Sequence, residues 1–390
     1  MKICHVITRL IIGGAQENTI FTVEGLIKKG YQVELITGPT KGPEGSLEER
    51  IKEKNIPLIV IKELIREINP VYDIVAFLKL FFIFKRKKYD IVHTHSAKAG
   101  ILGRISAKIA NPKTIVIHTI HGLPFHPYQN KIINLFYILA EKIAYYFTDH
   151  FICVGETMKE KSLKAGIGKE SDYTVIYSGF EIEPYIETSK KRKELREKYD
   201  IKQNEKVIGM IGRLFYLKGQ EFLIKAFKEI SKKFPNTKLL LVGDGILREK
   251  LENYAKENSI SDKVIFTGLV PPEKIPEYVA IIDILVHTSL REGLPKTVAQ
   301  GLAGGKPVVA FDIDGTKEVV INGKTGFIVP PKDINLLKEK IIYLLENPEI
   351  SDKMGMEGRK LIKKLFSVEK MVDEIEKLYI KFLYNEKRKY

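Results

Sequence analysis

Short apolar runs alternate along the chain with longer stretches in which apolar positions recur at helical spacing. In the first half the runs fall at 2–7, 32–37, 58–61, 90–93, 114–119, 151–154 and 174–177. Each is rich in β-branched or aromatic residues and is followed by a Gly, Pro or polar break. Such runs predict strands of a parallel sheet buried on both faces, and the helical stretches between them predict βαβ units. The segment 181–206 is charged and contains Pro184, and it predicts a connection carrying one helix. The alternation then restarts at 207–211, 238–242, 264–266, 284–287, 307–311 and 326–329. The pattern predicts an α/β chain of two doubly wound domains, 1–183 and 207–367, with a linker at 184–206 and a last helical stretch at 368–390 that fits on either domain.

Composition narrows the picture only a little. At 390 residues the chain is long for a single core, and 44% hydrophobic with 29% charged is ordinary for a globular protein. Lys and Arg total 64 against 49 Asp and Glu, a net charge of +15 that favours anionic partners without choosing among them. A nucleic-acid-binding protein would fit that charge, yet no recognition-helix, zinc or RNP-type pattern is present and the aromatics fall inside apolar periodic runs, so no nucleic acid is expected. The cysteines Cys4 and Cys153 sit in strand-like runs and predict two buried thiols. No histidines have metal-ligand spacing on a helix, so no metal site is expected. The first strand pattern begins at Lys2 with no signal-peptide pattern before it, which predicts a cytoplasmic protein.

In a parallel sheet, ligands bind outside the carboxyl ends of the strands. The residues that follow the predicted strands are therefore the informative ones. Strand 207–211 runs into Gly212-Arg213-Leu214-Phe215-Tyr216-Leu217-Lys218-Gly219 before a helix from Gln220. A guanidinium and an ammonium beside a helix N-terminus suit a diphosphate; a solvated basic loop is the competing reading. Strand 284–287 leads to Arg291-Glu292-Gly293-Leu294-Pro295 and a helix from Lys296, with Pro295 suited to a first helical turn. There Glu292 can accept hydrogen bonds from sugar hydroxyls while the N–H groups of Gly293 and Leu294 face phosphate, or Glu292 can simply cap the helix.

Gly13-Gly14-Ala15-Gln16 opens a helix after the first strand and permits close approach to an anion, or forms a plain turn. It is not a dinucleotide fingerprint. His121, after strand 114–119, can bond a sugar or assist proton transfer, with His93, His95 and His118 as alternatives and a structural role open for each.

Taken together and in order, these loops resemble the family 4 retaining glycosyltransferases of the GT-B fold. The resemblance runs through Gly13-Gly14-Ala15-Gln16, Asp90-Ile91-Val92-His93-Thr94-His95, His118-Thr119-Ile120-His121-Gly122, Gly212-Arg213 with Lys218-Gly219, Val242-Gly243-Asp244-Gly245, Val264-Ile265-Phe266-Thr267-Gly268 and Arg291-Glu292-Gly293-Leu294-Pro295. It implies two Rossmann-like domains facing across a cleft, with the last helix crossing back to the N-terminal domain. It implies that Arg213 and Lys218 hold the donor diphosphate and that Glu292 binds the transferred sugar. Gly13, Gly14, Gly212, Gly243, Gly293 and Leu294 would line the donor, Ile265 to Gly268 would lie against the base, and His121 would stand by the sugar.

One position departs from the family's Glu-x7-Glu pattern: the second carboxylate, which binds ribose, is replaced by Gln300. An amide still accepts and donates but loses charge assistance. The resemblance further implies transfer of a hexose-type sugar with retention, from a UDP-sugar or else a GDP-sugar, with no metal required. The acceptor would be a glycan or lipid-linked molecule of polysaccharide or glycolipid synthesis. A sugar-nucleotide epimerase or a phosphorylase on the same scaffold is the alternative. The stretch 74–88, IVAFLKLFFIFKRKK, predicts either a core helix or a segment lying on an anionic membrane, which would make the protein peripheral on the inner face.

Overall fold

The computed structural model describes residues 1–40 and 45–387, which fold as two compact units. The first is Met1–Phe180 with the segment from Ser367 on, and the second is Glu181–Phe366.

The first unit is built on β1 (Lys2–Ile7), β2 (Gln32–Thr37), β3 (Leu58–Val60), β4 (Ile91–His95), β5 (Ile115–Ile120), β6 (His150–Cys153) and β7 (Tyr173–Val175). They form one parallel sheet in the order β3-β2-β1-β4-β5-β6-β7. Alternate residues divide the two faces. Cys4 and Val6 of β1 and Val92 of β4 pack with Ala76, Leu80 and Phe84 of the helix Pro70–Lys87 and with Ala99 and Ala107 of the helix Ala97–Ala110. His5 and His93, which are register partners, fall on the opposite parity. The helices Gly14–Lys28 and Val368–Lys387 pack on each other: a Cβ on Gly25 would meet Val372, and Lys29 and Tyr31 bond Glu376.

The second unit carries β8 (Lys206–Ile211), β9 (Thr237–Val242), β10 (Val264–Phe266), β11 (Ile284–His287), β12 (Val308–Phe311) and β13 (Gly326–Val329). Their order is β10-β9-β8-β11-β12-β13, again parallel throughout. Ile208, Met210, Leu239, Leu241, Val286 and Phe311 join the apolar faces of the helices Gln220–Lys233 and Ile334–Glu346 in its core.

Two local expectations change. The charged segment read as a linker with one helix folds as two, Glu183–Lys190 and Arg192–Lys198, within the second unit. The cause is that its arginines turn inward. Arg192 bonds the carbonyls of Ala280 and Ile282 and the carboxylate of Asp283, and Arg196 reaches the other oxygen of Asp283 at 2.9 Å. The helix Pro70–Lys87 packs one face into the core and leaves apolar residues on the other: Ala76, Leu80 and Phe84 are buried, while Val71, Ile74, Leu78 and Phe82 are exposed.

Candidate functional site

In each sheet the strand order reverses at one place: between β1 and β4, and between β8 and β11. These are the topological switch points at which open α/β sheets bind ligands. The loops after β1, β8 and β11 leave the sheets there, and those after β5, β9 and β10 leave from strands farther along the same sheets.

In the second unit, the loop after β8 and the loop after β11 are tied together three times. The Leu290 amide donates to the Leu217 carbonyl at 2.8 Å, and the Thr288 hydroxyl donates to the Gly219 carbonyl at 2.7 Å. Lys218 Nζ donates to Glu292 Oε1 at 2.6 Å. Gly219 is obligatory here: its φ is +79°, and a Cβ would stand 1.9 Å from the Thr288 carbonyl oxygen. Arg213 begins the same loop, its carbonyl accepting from Gln220 and its guanidinium lying 5.9 Å from the centroid of Phe215.

Glu292 is the hub of the arrangement. Ser289 also donates to Oε1 at 2.8 Å, and His287 Nε2 lies 3.6 Å from that oxygen. The backbone N–H of Glu292 is held by Asp314 at 2.6 Å, and the carbonyl of Gly293 accepts from Gly315 at 3.3 Å. Its second oxygen, Oε2, has no hydrogen bond among the described residues. Burial pushes the Glu292 carboxyl up, but Lys218, His287 and Ser289 outweigh it and hold the group below its ordinary range. Burial takes His287 down to about 4, so the imidazole beside the carboxylate is neutral. Glu292 does not cap the following helix: the N-cap of Lys296–Ala303 is Pro295, which stands just before the first turn.

Gly212, Gly243 and Gly268 meet at the ends of β8, β9 and β10. Gly212 N donates to the Val242 carbonyl, Gly243 forms a bridge with Gly268, and Gly243 N donates to Thr267 Oγ1 at 3.2 Å. A Cβ on Gly243, at φ +130°, would lie 2.3 Å from the Gly212 carbonyl oxygen. Ile265 is half-buried in β10, and Leu294 lies beside Gly315. Gln300 is buried on the helix Lys296–Ala303, and its side chain has no hydrogen bond among the described residues.

Three neighbours of this site were missed from sequence: Ser289, Asp314 and Lys296. Lys296 opens the helix after Glu292, and burial lowers its amine to about 7. Its only sequence signal is a lysine placed at a helix N-terminus, where the dipole disfavours a cation.

In the first unit, Gly13 precedes and Gly14 begins the helix Gly14–Lys28 after β1. A Cβ on Gly14 would have nothing within 4 Å. The β1 and β4 ends are joined by Thr8 Oγ1 and Ser96 Oγ at 2.7 Å. His121 follows β5 and lines a pocket with Ser96, Ala97, Gly122, Leu123 and Pro124.

Behind His121 runs a chain of rings. His95 Nδ1 lies 3.0 Å from His121 Nε2, and His95 Nε2 lies 3.0 Å from His5 Nδ1. Tyr379, from the helix Val368–Lys387, places its hydroxyl 2.5 Å from His93 Nδ1 and 3.4 Å from His5 Nε2, and His93 Nε2 meets Thr119 Oγ1 at 2.6 Å. Burial takes His5 and His121 down to about 3 and holds His93 and His95 well below the ordinary imidazole range, so all four are neutral at pH 7. His5, His93 and His95 bring one ring nitrogen each within 4.8 Å of one another, the only such trio among the described residues that could hold a cation. Both nitrogens of each ring are already engaged by the hydrogen bonds above, so a metal would have to displace them. His118 bonds Thr94 instead, at 2.8 Å.

Residues 12–184 match the model of "Glycosyltransferase Family 4", and residues 191–361 match that of "Glycosyl transferases group 1". The chain belongs to the family 4 glycosyltransferases. The glycosyltransferase is 29% identical over 389 residues to the UDP-Gal:alpha-D-GlcNAc-diphosphoundecaprenol alpha-1,3-galactosyltransferase of Escherichia coli, covering 99% of this chain and 98% of that one. It is 30% identical to the uncharacterized glycosyltransferase MJ1069 of Methanocaldococcus jannaschii, over 80% of this chain and 82% of the relative. Among solved structures, Anabaena HepE in complex with UDP and glucose superposes with a TM-score of 0.84 at 22% identity, covering 97% of this chain and 99% of the other. The fold is therefore the GT-B fold, and the protein is an enzyme of glycosyl transfer.

Proposed function

We propose that the enzyme moves a hexose-type sugar from a UDP-sugar to a hydroxyl of a glycan or lipid-linked acceptor, with retention of configuration. The observation that carries this reading is the Lys218–Glu292 pair at the switch point of the second sheet, with Arg213 on the same loop. The E. coli relative, which covers almost the whole chain, is named for a UDP-sugar and a diphosphoundecaprenol acceptor.

Cleavage of the anomeric C–O bond leaves negative charge on the diphosphate. Arg213, Lys218 and the N–H groups at Gly293 and Leu294 are assigned to that charge, where preorganised donors act most strongly. The Oε2 atom of Glu292 is assigned to a hydroxyl of the transferred sugar. The acceptor oxygen bonds the anomeric carbon on the face the diphosphate leaves, and its proton passes to the departing phosphate oxygen. These cations and amides fill the role a divalent metal plays at other phosphate sites, so no metal is assigned. Gly13 and Gly14 are assigned to the diphosphate, Gly212, Gly243 and the stretch Ile265 to Gly268 to the nucleoside, and Gln300 to its ribose. His121 is assigned to the sugar.

An inverted helix supports the lipid-linked acceptor in this reading. Lys131–Tyr145 turns Glu141 and Ala144 inward and exposes Ile132, Leu135, Phe136, Leu139 and Ile143. Glu141 is drawn inward by a 2.6 Å ion pair with the buried Arg104. An apolar face directed outward beside Lys131 and Lys142, with the exposed apolar face and Lys85, Arg86 and Lys88 of the Pro70–Lys87 region, suits an anionic lipid surface. Among the described residues no helix is long and apolar enough to cross a membrane, so we propose a peripheral association, on the cytoplasmic face.

The reading is tested by thermal unfolding against a panel of nucleotide sugars, followed by turnover of the stabilising donor with an undecaprenyl-diphosphate sugar, with and without EDTA. Stabilisation by a UDP-sugar and EDTA-insensitive transfer are expected. No stabilisation by any nucleotide sugar overturns it.

A further inference from the structure

The chain of rings behind His121 has a property that goes beyond the site itself. Each neutral histidine carries one N–H and one bare nitrogen. A ring bonded at both nitrogens must therefore donate from one and accept at the other. His95 is bonded to His121 at Nδ1 and to His5 at Nε2, and His5 is bonded to His95 at Nδ1 and to Tyr379 at Nε2. The direction of donation at one end then fixes it at the other. Only two arrangements satisfy every contact with the Tyr379 proton bonded to one of its two rings, and they differ in every tautomer.

The Tyr379 hydroxyl chooses between them. It carries one proton and touches two rings, His93 Nδ1 at 2.5 Å and His5 Nε2 at 3.4 Å. A phenol is the stronger donor and an imidazole nitrogen the stronger acceptor of such a pair, so the shorter contact is Tyr379 donating to His93. His93 then carries its proton on Nε2 and donates to Thr119. The phenol oxygen, its proton committed, accepts from His5 Nε2–H. His5 Nδ1 accepts from His95 Nε2–H, and His95 Nδ1 accepts from His121 Nε2–H. Nδ1 of His121, which has no hydrogen bond among the described residues, is left as a bare acceptor.

We propose that Tyr379 is a positioning residue that, through His5 and His95, fixes His121 as its Nε2–H tautomer, so that His121 Nδ1 accepts a hydrogen bond from a hydroxyl of the bound sugar. The last clause rests on the glycosyltransferase site assigned above; the tautomer does not. It gives the final helix a chemical role in addition to its packing on Gly14–Lys28. Burial of the four rings keeps them neutral, as the arrangement requires.

The experiment is two-bond proton–nitrogen NMR on the full chain labelled with 15N histidine, without ligand, with signals assigned by single His→Gln variants. The expected result is His121 with Nδ1 at the shift of a bare nitrogen and Nε2 at that of a protonated one, and with His5, His93 and His95 in the same tautomer. In Tyr379→Phe, which deletes only the hydroxyl, the His121 signals move to a mixture of both tautomers, while His150, bonded to Thr174 and outside the chain, stays put. A wild-type His121 protonated at Nδ1 overturns the proposal even if Tyr379→Phe fails to fold, and so does an unmoved His121 in a folded Tyr379→Phe. Full turnover of His121→Ala would instead remove the sugar contact and leave the tautomer result standing.

Discussion

Lys218 Nζ and Glu292 Oε1 are 2.6 Å apart, although 74 positions separate them in the chain. The pair ties the loop after β8 to the loop after β11 and orients both charges at the point where the strand order reverses. It has a consequence for pH. The Glu292 carboxyl is held below its ordinary 4.5, so it contributes stability that is present above pH 4.5 and lost as pH falls through the lower folded-state value. In Lys218→Ala the main lowering influence is gone and burial pushes the carboxyl up. Protonation then favours the folded state. The difference in melting temperature between wild type and Lys218→Ala is expected to shrink from pH 7 to pH 4. A difference that grows toward acid would show that Lys218 does not hold Glu292 ionised.

Turnover gives the second prediction. Removing one donor from a site of developing anionic charge typically costs ~10²–10³ in rate. Arg213→Ala and Lys218→Ala are each expected to lose turnover on that scale while keeping a cooperative melt. Near-normal kcat in both would remove the diphosphate assignment.

Gly14 separates packing from binding. It opens the helix Gly14–Lys28, and a Cβ there has open space, so Gly14→Ala should melt at or slightly above the wild-type temperature. If the diphosphate approaches this backbone, the same methyl raises the donor's KM. Unchanged KM and kcat in a stable Gly14→Ala would take Gly14 out of the site.

The sheets were legible because their strands are buried on both faces and so appear as continuous apolar runs. The site loops were legible because chemistry in such sheets gathers just past strand ends. What escaped depends on side chains meeting across long distances. Nothing near Glu141 in sequence announces Arg104, yet that pair decides which face of Lys131–Tyr145 points outward. Arg192 and Arg196 belong to a segment that reads in sequence as a charged connection, yet the carboxylate of Asp283 and the backbone carbonyls of Lys202, Gln203, Glu205, Ala280, Ile281 and Ile282 hold them inward. His5 looked like one residue of an apolar strand, and Tyr379 like one of a helical repeat; their meeting needs the last helix docked on the first unit.

Gln300 stands where the family pattern has a carboxylate, buried and with its amide unbonded among the described residues. A charged acceptor strengthens a hydrogen bond from about 0.5–1.5 to about 1.5–3 kcal/mol. Gln300→Glu is therefore expected to lower the donor's KM several-fold, and Gln300→Ala to raise it, with kcat little changed in both. A fall in kcat at constant KM would place Gln300 on the reacting part of the donor and not on its ribose.

The Arg104–Glu141 pair makes the last prediction because both side chains are almost wholly buried, at 0% and 7% exposed. Arg104 also donates to the Gly100 carbonyl at 2.9 Å and to Thr148, so it cannot follow Glu141 out to water. Breaking a buried pair on one side leaves an uncompensated charge and costs about 3–5 kcal/mol, whereas replacing both charges by apolar groups of similar volume costs far less. Glu141→Ala should thus destabilise the first unit on that scale in urea unfolding, and Arg104→Met with Glu141→Leu should recover most of the loss. The double variant also tests the inverted helix. With no charge left to hold Glu141's side inward, the apolar face is free to turn toward the core. Binding to vesicles of anionic lipid should then weaken in the double variant although its stability is restored. Undiminished vesicle binding would mean that the outward apolar face is not what meets the membrane.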